Sequence, residues 1–155
     1  MKGDAQLLQK LDQLLAEELT AINQYMVHSE MCANWGYDRL HEAVEKRAIQ
    51  EMKHAEKLIG RILFLEGQPT VSKLNPISIG PDVQQQFRSD LEAELAAVRS
   101  YNEAIKLAGD VGDAATRAML ESILADEDAH LDWLEEQLDQ ISQMGIAFYL
   151  STQTG

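Results

Sequence analysis

The sequence predicts an all-α chain of four long helices and a short fifth, on three observations. Apolar residues recur at helical spacing over long stretches, and no strand-like alternation survives outside one loop. All three prolines, Pro69, Pro76 and Pro81, fall in a single segment near the middle of the chain. A chain of 155 residues, 45% of them hydrophobic, is long enough to close one core. Residues 1–155 are therefore expected to form a single domain, with a bundle over about 4–142 and a short helix over about 145–152.

The first helix shows in Leu7, Leu11, Leu15, Ile22 and Tyr25 and stops at "NWGYD", where Gly36 can adopt the left-handed conformation that caps a helix C-terminus. The second runs from about Arg39 to Leu65. The proline-bearing segment "EGQPTVSKLNPISIGPD" is the one long connection. Phe87, Leu91, Leu95, Val98 and Ile105 mark the third helix, "AGDVGD" makes a turn, and Leu120 through Ile141 mark the fourth. Gly145 then sets off a short apolar tail, "IAFYL". Short, long and short connections in that order give two antiparallel hairpins joined by a crossover, because an up-down-up-down bundle would not need about 15 residues between its middle helices.

Acidic residues outnumber basic ones 26 to 13, for a formal charge of −13. That balance argues against nucleic acid or an anionic membrane as partner and favours attraction of cations. Cys32 is the only cysteine, which excludes an intrachain disulfide and a Cys-x-x-Cys metal knot. The opening "MKGDAQLLQK" has no apolar leader and no stretch approaches about 18 consecutive apolar residues, so neither a signal peptide nor a membrane span is expected, and the expected location is cytoplasmic.

The two hairpins repeat at an offset of 76 residues. The seam Val44, Ala48, Glu51, Ala55, Leu58, Ile62 and Leu65 maps onto Leu120, Leu124, Glu127, Leu131, Leu134, Leu138 and Ile141. Leu15, Glu18, Ile22 and Tyr25 map likewise onto Leu91, Glu94, Val98 and Tyr101. Each seam is apolar save one residue, and the interruptions repeat too. Glu18, Glu51, Glu94 and Glu127 thus stand one per helix, each where a core residue belongs, and both hairpins space theirs by 33 residues. Four unpartnered buried carboxylates would be costly, so a cationic partner is expected among them.

His54 follows Glu51 by three residues and His130 follows Glu127 by three. Each pair projects from one helix roughly 60° apart and one turn removed, and so can address one point. A glutamate from each of two helices with Glu-x-x-His from each of the other two is the di-iron or di-manganese carboxylate arrangement of ferritin-like proteins. Oxygen ligands with one imidazole per metal suit iron or manganese, and the absence of thiolates argues against structural zinc. The expected metal ligands and catalytic residues are therefore Glu18, Glu51, His54, Glu94, Glu127 and His130. Tyr25, Tyr101, Asp90 and Trp133 are candidates to support those ligands from behind. His28 and His41 are read as surface or packing residues.

Met52 lies about 100° around the helix from Glu51 and cannot join the central seam. With Ile49 it forms a second apolar patch, matched on the first helix by Leu19 and Met26, which implies burial against another copy of the subunit. On spacing alone Met52 is an interface packing residue.

The chain resembles bacterioferritin, in "LTAINQY" (19–25), "NWG" (34–36), "EMKHAEKLIGRILFLEG" (51–67), "DEDAHLDWLE" (126–135) and the terminal "MGIAFYL". The resemblance implies a ferritin-like four-helix bundle assembled as a hollow homo-oligomeric shell of about 24 subunits built from dimers. It implies iron storage and detoxification, with a ferroxidase oxidising Fe(II) to Fe(III) by O2 or H2O2 at a di-iron centre in each subunit. In that scheme Glu51 and Glu127 bridge, Glu18 with His54 completes one iron's ligands, and Glu94 with His130 completes the other's. Met52 becomes the axial ligand of a haem b shared by two subunits on the dimer axis. The resemblance also admits a second ferritin subunit type in a mixed shell and a ferredoxin as reductant. Lys46 and Gln50 replace the histidine and carboxylate of a cavity-facing third iron site, so that site is not expected here. Leu58 replaces a frequent tyrosine, and Glu45 an aromatic beside the haem.

The alternative is a stand-alone di-metal redox enzyme of peroxidase or oxidase type. One cysteine excludes a Cys-x-x-Cys electron module within this chain, and a dimanganese catalase leaves Met52 unexplained. A haem-binding or DNA-protecting shell with a vestigial metal centre is opposed by the complete ligand set and by the acidic charge.

Overall fold

Helix ends in the computed structural model, which describes residues 1–155, are set by local chemistry. Asp4, Asp82 and Asp113 each accept a hydrogen bond from the backbone N–H three residues on, and so start α1 (Ala5–Asn34), α3 (Val83–Asp110) and α4 (Ala114–Met144). α2 spans Asp38–Phe64 and α5 spans Ile146–Ser151. The boundaries fall within a few residues of those expected from periodicity. α4 is the longest departure: it starts at Ala114, ahead of the expected Leu120, and runs on to Met144, where Gly145, at φ 81°, is the first residue to leave the helix.

α1, α2 and α3 end in one motif. The residue after each C-cap is left-handed (Gly36 φ 82°, Glu66 φ 62°, Gly112 φ 76°) and a pair of backbone hydrogen bonds folds back over the last turn. Gly36 and Gly112 are related by the 76-residue offset, so the repeat extends to the caps.

α1 packs along α2 and α3 along α4, and the hairpins meet chiefly through α1 and α3, with a lighter contact between α2 and α4. The crossover, residues 65–82, is strapped to one face of α1. Asp12 accepts from Thr70 N (2.8 Å), Thr20 from Asn75 N (2.8 Å), Gln24 from Ser78 N (3.1 Å) and His28 Nε2 from Gly80 N (3.0 Å). These four receptors recur at one- or two-turn spacing, so a single stripe of α1 satisfies a connection that has no ladder of its own.

The core comes in two large parts, with a smaller cluster of Tyr25, Val44 and Ala48. One end is closed by Leu7, Leu11, Leu58, Ile62, Ala104 and Leu120 with their neighbours, and the other by Cys32, Leu40, Phe87, Leu134, Ile141 and Tyr149. α5 completes the second part, where the Tyr149 hydroxyl donates to Gln137 at 2.6 Å. Leu95, expected on the core stripe of α3, is 41% exposed, because Glu94 holds the inward position and turns its neighbour out. No helix is long and apolar enough to cross a membrane.

Candidate metal centre

Between the two apolar ends lies a polar layer in which all six expected ligands are buried. Glu18, Glu51, Glu94 and Glu127 are at most 2% exposed, His54 is 1% exposed and His130 is 7% exposed. Ligand atoms of Glu18, Glu51, His54 and Glu127 lie within 4.8 Å of one another. His54 Nδ1 is 3.0 Å from Glu127 Oε1 and 3.7 Å from Glu18 Oε2 and Glu51 Oε2. His130 Nδ1 sits 2.9 Å from Glu94 Oε1. The four carboxylates line one cavity of about 190 Å³.

Each of the four glutamates keeps one buried oxygen without a hydrogen-bond partner: Glu18 Oε2, Glu51 Oε1, Glu94 Oε2 and Glu127 Oε2. Desolvated acceptors left unpaired are destabilising, and divalent cations held by oxygen and imidazole would satisfy all four. With no thiolate in the set, the donors fit iron or manganese.

Crowding shifts the titrations. Burial, reinforced by Glu18, pushes Glu51 up to about 8, and burial, reinforced by Glu127, pushes Glu94 up to about 8. Glu18 is raised by burial as well. The histidines diverge. Burial opposes charge on His54, but the hydrogen-bonded carboxylate of Glu127 and the nearby carboxylates of Glu18 and Glu51 outweigh it and push the imidazole up to about 12. On His130 burial prevails over Glu94 and lowers the value.

Two tyrosines brace the layer in a crossed pattern. Tyr25 of α1 donates to Glu94 of α3, and Tyr101 of α3 donates to Glu18 of α1 at 2.5 Å. Burial raises both phenols well above the ordinary range, so both remain protonated donors. Trp133 stacks on His130, with ring centroids 6.0 Å apart and an 18° interplanar angle. Asp90 is placed differently from the expectation. Its Oδ1 accepts from Gln24 (2.8 Å) and pairs with His28 Nδ1 (3.0 Å), so its hydrogen bonds organise α1 and the crossover rather than a ligand carboxylate. His28 is accordingly a buried hydrogen-bonding residue, while His41 is half-buried against Ser29 O.

Periodicity missed two neighbours of the layer. Arg47, only 8% exposed, brings Nε to 3.3 Å from Glu51 Oε1 and Nη2 to 3.5 Å from Glu127 Oε2, and donates to the Asp126 carbonyl at 2.9 Å. Its place four residues before Glu51 was the available signal. Asp126, adjacent to Glu127, reaches His54 Nε2 at 2.8 Å.

Met52 lies outside the layer, 44% exposed in the single chain, one turn from Ile49 (45%), while α1 exposes Met26 (49%). Leu19, expected with Met26, instead packs half-buried against the core end formed around Leu11.

A ferritin-like domain family matches residues 8–144. The chain is 39% identical to a bacterioferritin of Brucella melitensis over 145 residues, covering 94% of this chain and 90% of the relative. It is 40% identical to one from Rhodobacter capsulatus over the same shares. A bacterioferritin of Mycolicibacterium paratuberculosis is 40% identical over 149 residues, covering 96% and 94%.

Proposed function

Because the chain belongs to the bacterioferritins within the ferritin-like domain family, we propose that it stores iron and oxidises Fe(II) to Fe(III) within each subunit. The observation that carries this reading is the ring of four buried glutamates, each with one oxygen that has no hydrogen-bond partner, beside two imidazoles and with Arg47 as the one arginine in contact. Four carboxylates formally balance two divalent cations, and the pair would supply the electrons that reduce O2 or H2O2.

The residues act in three ways. Glu51 and Glu127, on α2 and α4 of the two hairpins, would be shared by the two cations, with Glu18 and His54 completing one ligand set and Glu94 and His130 the other. Tyr101 and Tyr25 hold Glu18 and Glu94 in orientation through hydrogen bonds. The apolar clusters at either end shield the layer from solvent along the bundle, which strengthens its hold on cations. Protons held on Glu51, Glu94 and His54 leave as cations bind, so uptake releases acid.

The exposed face carrying Met52, Ile49 and Met26 supports a second component of the reading. Two copies of this face would pair, and the Met52 thioether of each would hold a haem b, which would supply electron transfer. The full assembly is a hollow shell of about 24 such subunits.

The test is anaerobic Fe(II) loading followed by O2, with assembly size and visible spectrum recorded. A very large particle whose oxidation phase is lost in Glu51→Ala with Glu127→Ala is expected. Oxidation at the wild-type rate in that double variant, or a small oligomer, overturns the reading in favour of background oxidation or a stand-alone enzyme. Loss of a bis-thioether haem spectrum in Met52→Leu tests the haem component separately.

A further inference from the structure

Outside the four glutamates of the ring, Glu17 carries a fifth buried carboxylate oxygen that has no hydrogen-bond partner. Its Oε1 accepts from Ser100 Oγ at 2.7 Å, tying α1 to α3, but its Oε2 is buried without a hydrogen-bond partner. A glutamate needed only as a tie would not leave its second oxygen desolvated, because an unpaired buried acceptor is destabilising.

Its position explains the orphan. Two cavities lie along this side of α1, and Glu17 and Asn75 are the residues common to both. The inner one, of about 190 Å³, is walled by Glu18, Glu51, Glu94 and Glu127. The outer one, of about 430 Å³, is predominantly polar and includes Asp12, Gln13 and one cationic side chain, Lys73. The crossover forms the remaining wall and is held in place on either side of the junction, by Thr70 N on Asp12 and by Asn75 N on Thr20. A carboxylate therefore stands where an outer polar groove meets the inner ring of glutamates, with one oxygen anchored and the other uncommitted.

We propose that Glu17 is a transit ligand for divalent cations: it takes a cation from the outer groove and passes it to Glu18, the adjacent residue and the first carboxylate of the inner ring. This rests on the reading of the inner ring as a metal site. Anchoring by Ser100 fixes the side chain against α3, so the hand-over needs no helix movement.

Co(II), which is not oxidised under these conditions, is the probe. Its visible bands report loading in anaerobic stopped-flow experiments on the assembled protein, with Glu127→Gln identifying the fraction bound in the inner ring. Glu17→Gln keeps the Ser100 tie and the volume and removes the charge. It is expected to slow inner-ring loading about tenfold, the low end of what a charged path contributes to on-rates, with final stoichiometry and melting temperature unchanged. Glu17→Asp is expected to recover part of the rate. An unchanged loading rate in Glu17→Gln with full final loading overturns the transit role alone. A loss of rate, stoichiometry and melting temperature together overturns it in favour of a structural tie. Wild-type protein that shows no Glu127-dependent Co(II) loading overturns the inner-ring reading and this one with it.

Discussion

Tyr101 on α3 donates its hydroxyl to Glu18 on α1 at 2.5 Å, and the residues related to them by the 76-residue offset, Tyr25 and Glu94, repeat the bond in the opposite direction. The hairpins are thereby stitched twice through groups wholly inside the bundle, each stitch ending on a member of the carboxylate ring.

Removing one stitch should be felt as stability. Tyr101→Phe keeps the ring and deletes the donor, leaving Glu18 Oε1 desolvated beside an already unpartnered Oε2. A loss of about 1–3 kcal/mol is expected in chelator-treated protein. Thermal melts check this, and an unchanged midpoint would show that the bond contributes nothing net.

The pH dependence of stability follows from the same layer. Folded Glu51 and Glu94 titrate near 8 instead of 4.5, so between those values the folded chain binds more protons than the unfolded chain. Their stabilising contribution is complete below the lower value and is lost as pH rises through the higher. His54, raised from 6.5 to about 12, acts in the same direction above 6.5. His130, lowered by burial, opposes them as a single group. Chelator-treated protein should therefore melt at lower temperature at about pH 8 than at about pH 6, and Glu51→Gln should flatten the slope. A midpoint that rises over this window would contradict the assignment.

Gly80 tests the strap along α1. A Cβ there would lie 2.3 Å from Gln86 N, while Gly80 N and O are both engaged, by His28 and Gln86. Gly80→Ala must displace the start of α3 and should cost about 1–3 kcal/mol, as overpacking does. Calorimetry of the variant decides it, and a cost below the measurement error would mean that the crossover is not held as described.

The three matched helix ends make a paired prediction. Gly36 has open space where a Cβ would go, so Gly36→Ala isolates the left-handed backbone and should lose about 1 kcal/mol. Glu66 occupies the same conformation with a side chain whose exposed pair with the N-terminus contributes little. Glu66→Gly should be neutral or gain up to about 1 kcal/mol. Equal shifts in the two melting curves would refute the conformational origin.

Much of this is legible in the sequence alone. The seams of apolar residues fixed four helices, and the repeat singled out Glu18, Glu51, Glu94 and Glu127 because each broke an otherwise apolar stripe at a matched place. Arg47, Asp126 and Glu17 were not legible, for one reason. Each sits on the flank of a seam, where charged residues are ordinary, and only the approach of another helix turns that flank inward. Asp90 misled in the opposite way. One turn from Glu94 is close in sequence, but its carboxylate leans toward Gln24 and His28, a choice made by the neighbouring helix and the crossover.

The 76-residue repeat also marks where the halves part company. Asp126 lies 2.8 Å from His54 Nε2, and its counterpart in the other half is Gln50; Trp133 stacks on His130, and its counterpart is Lys57. One imidazole thus sits in an ionic corner and the other against an indole, although the donor lists are the same. A symmetric inventory has become two unequal seats, and anything that fills both will distinguish a first from a second.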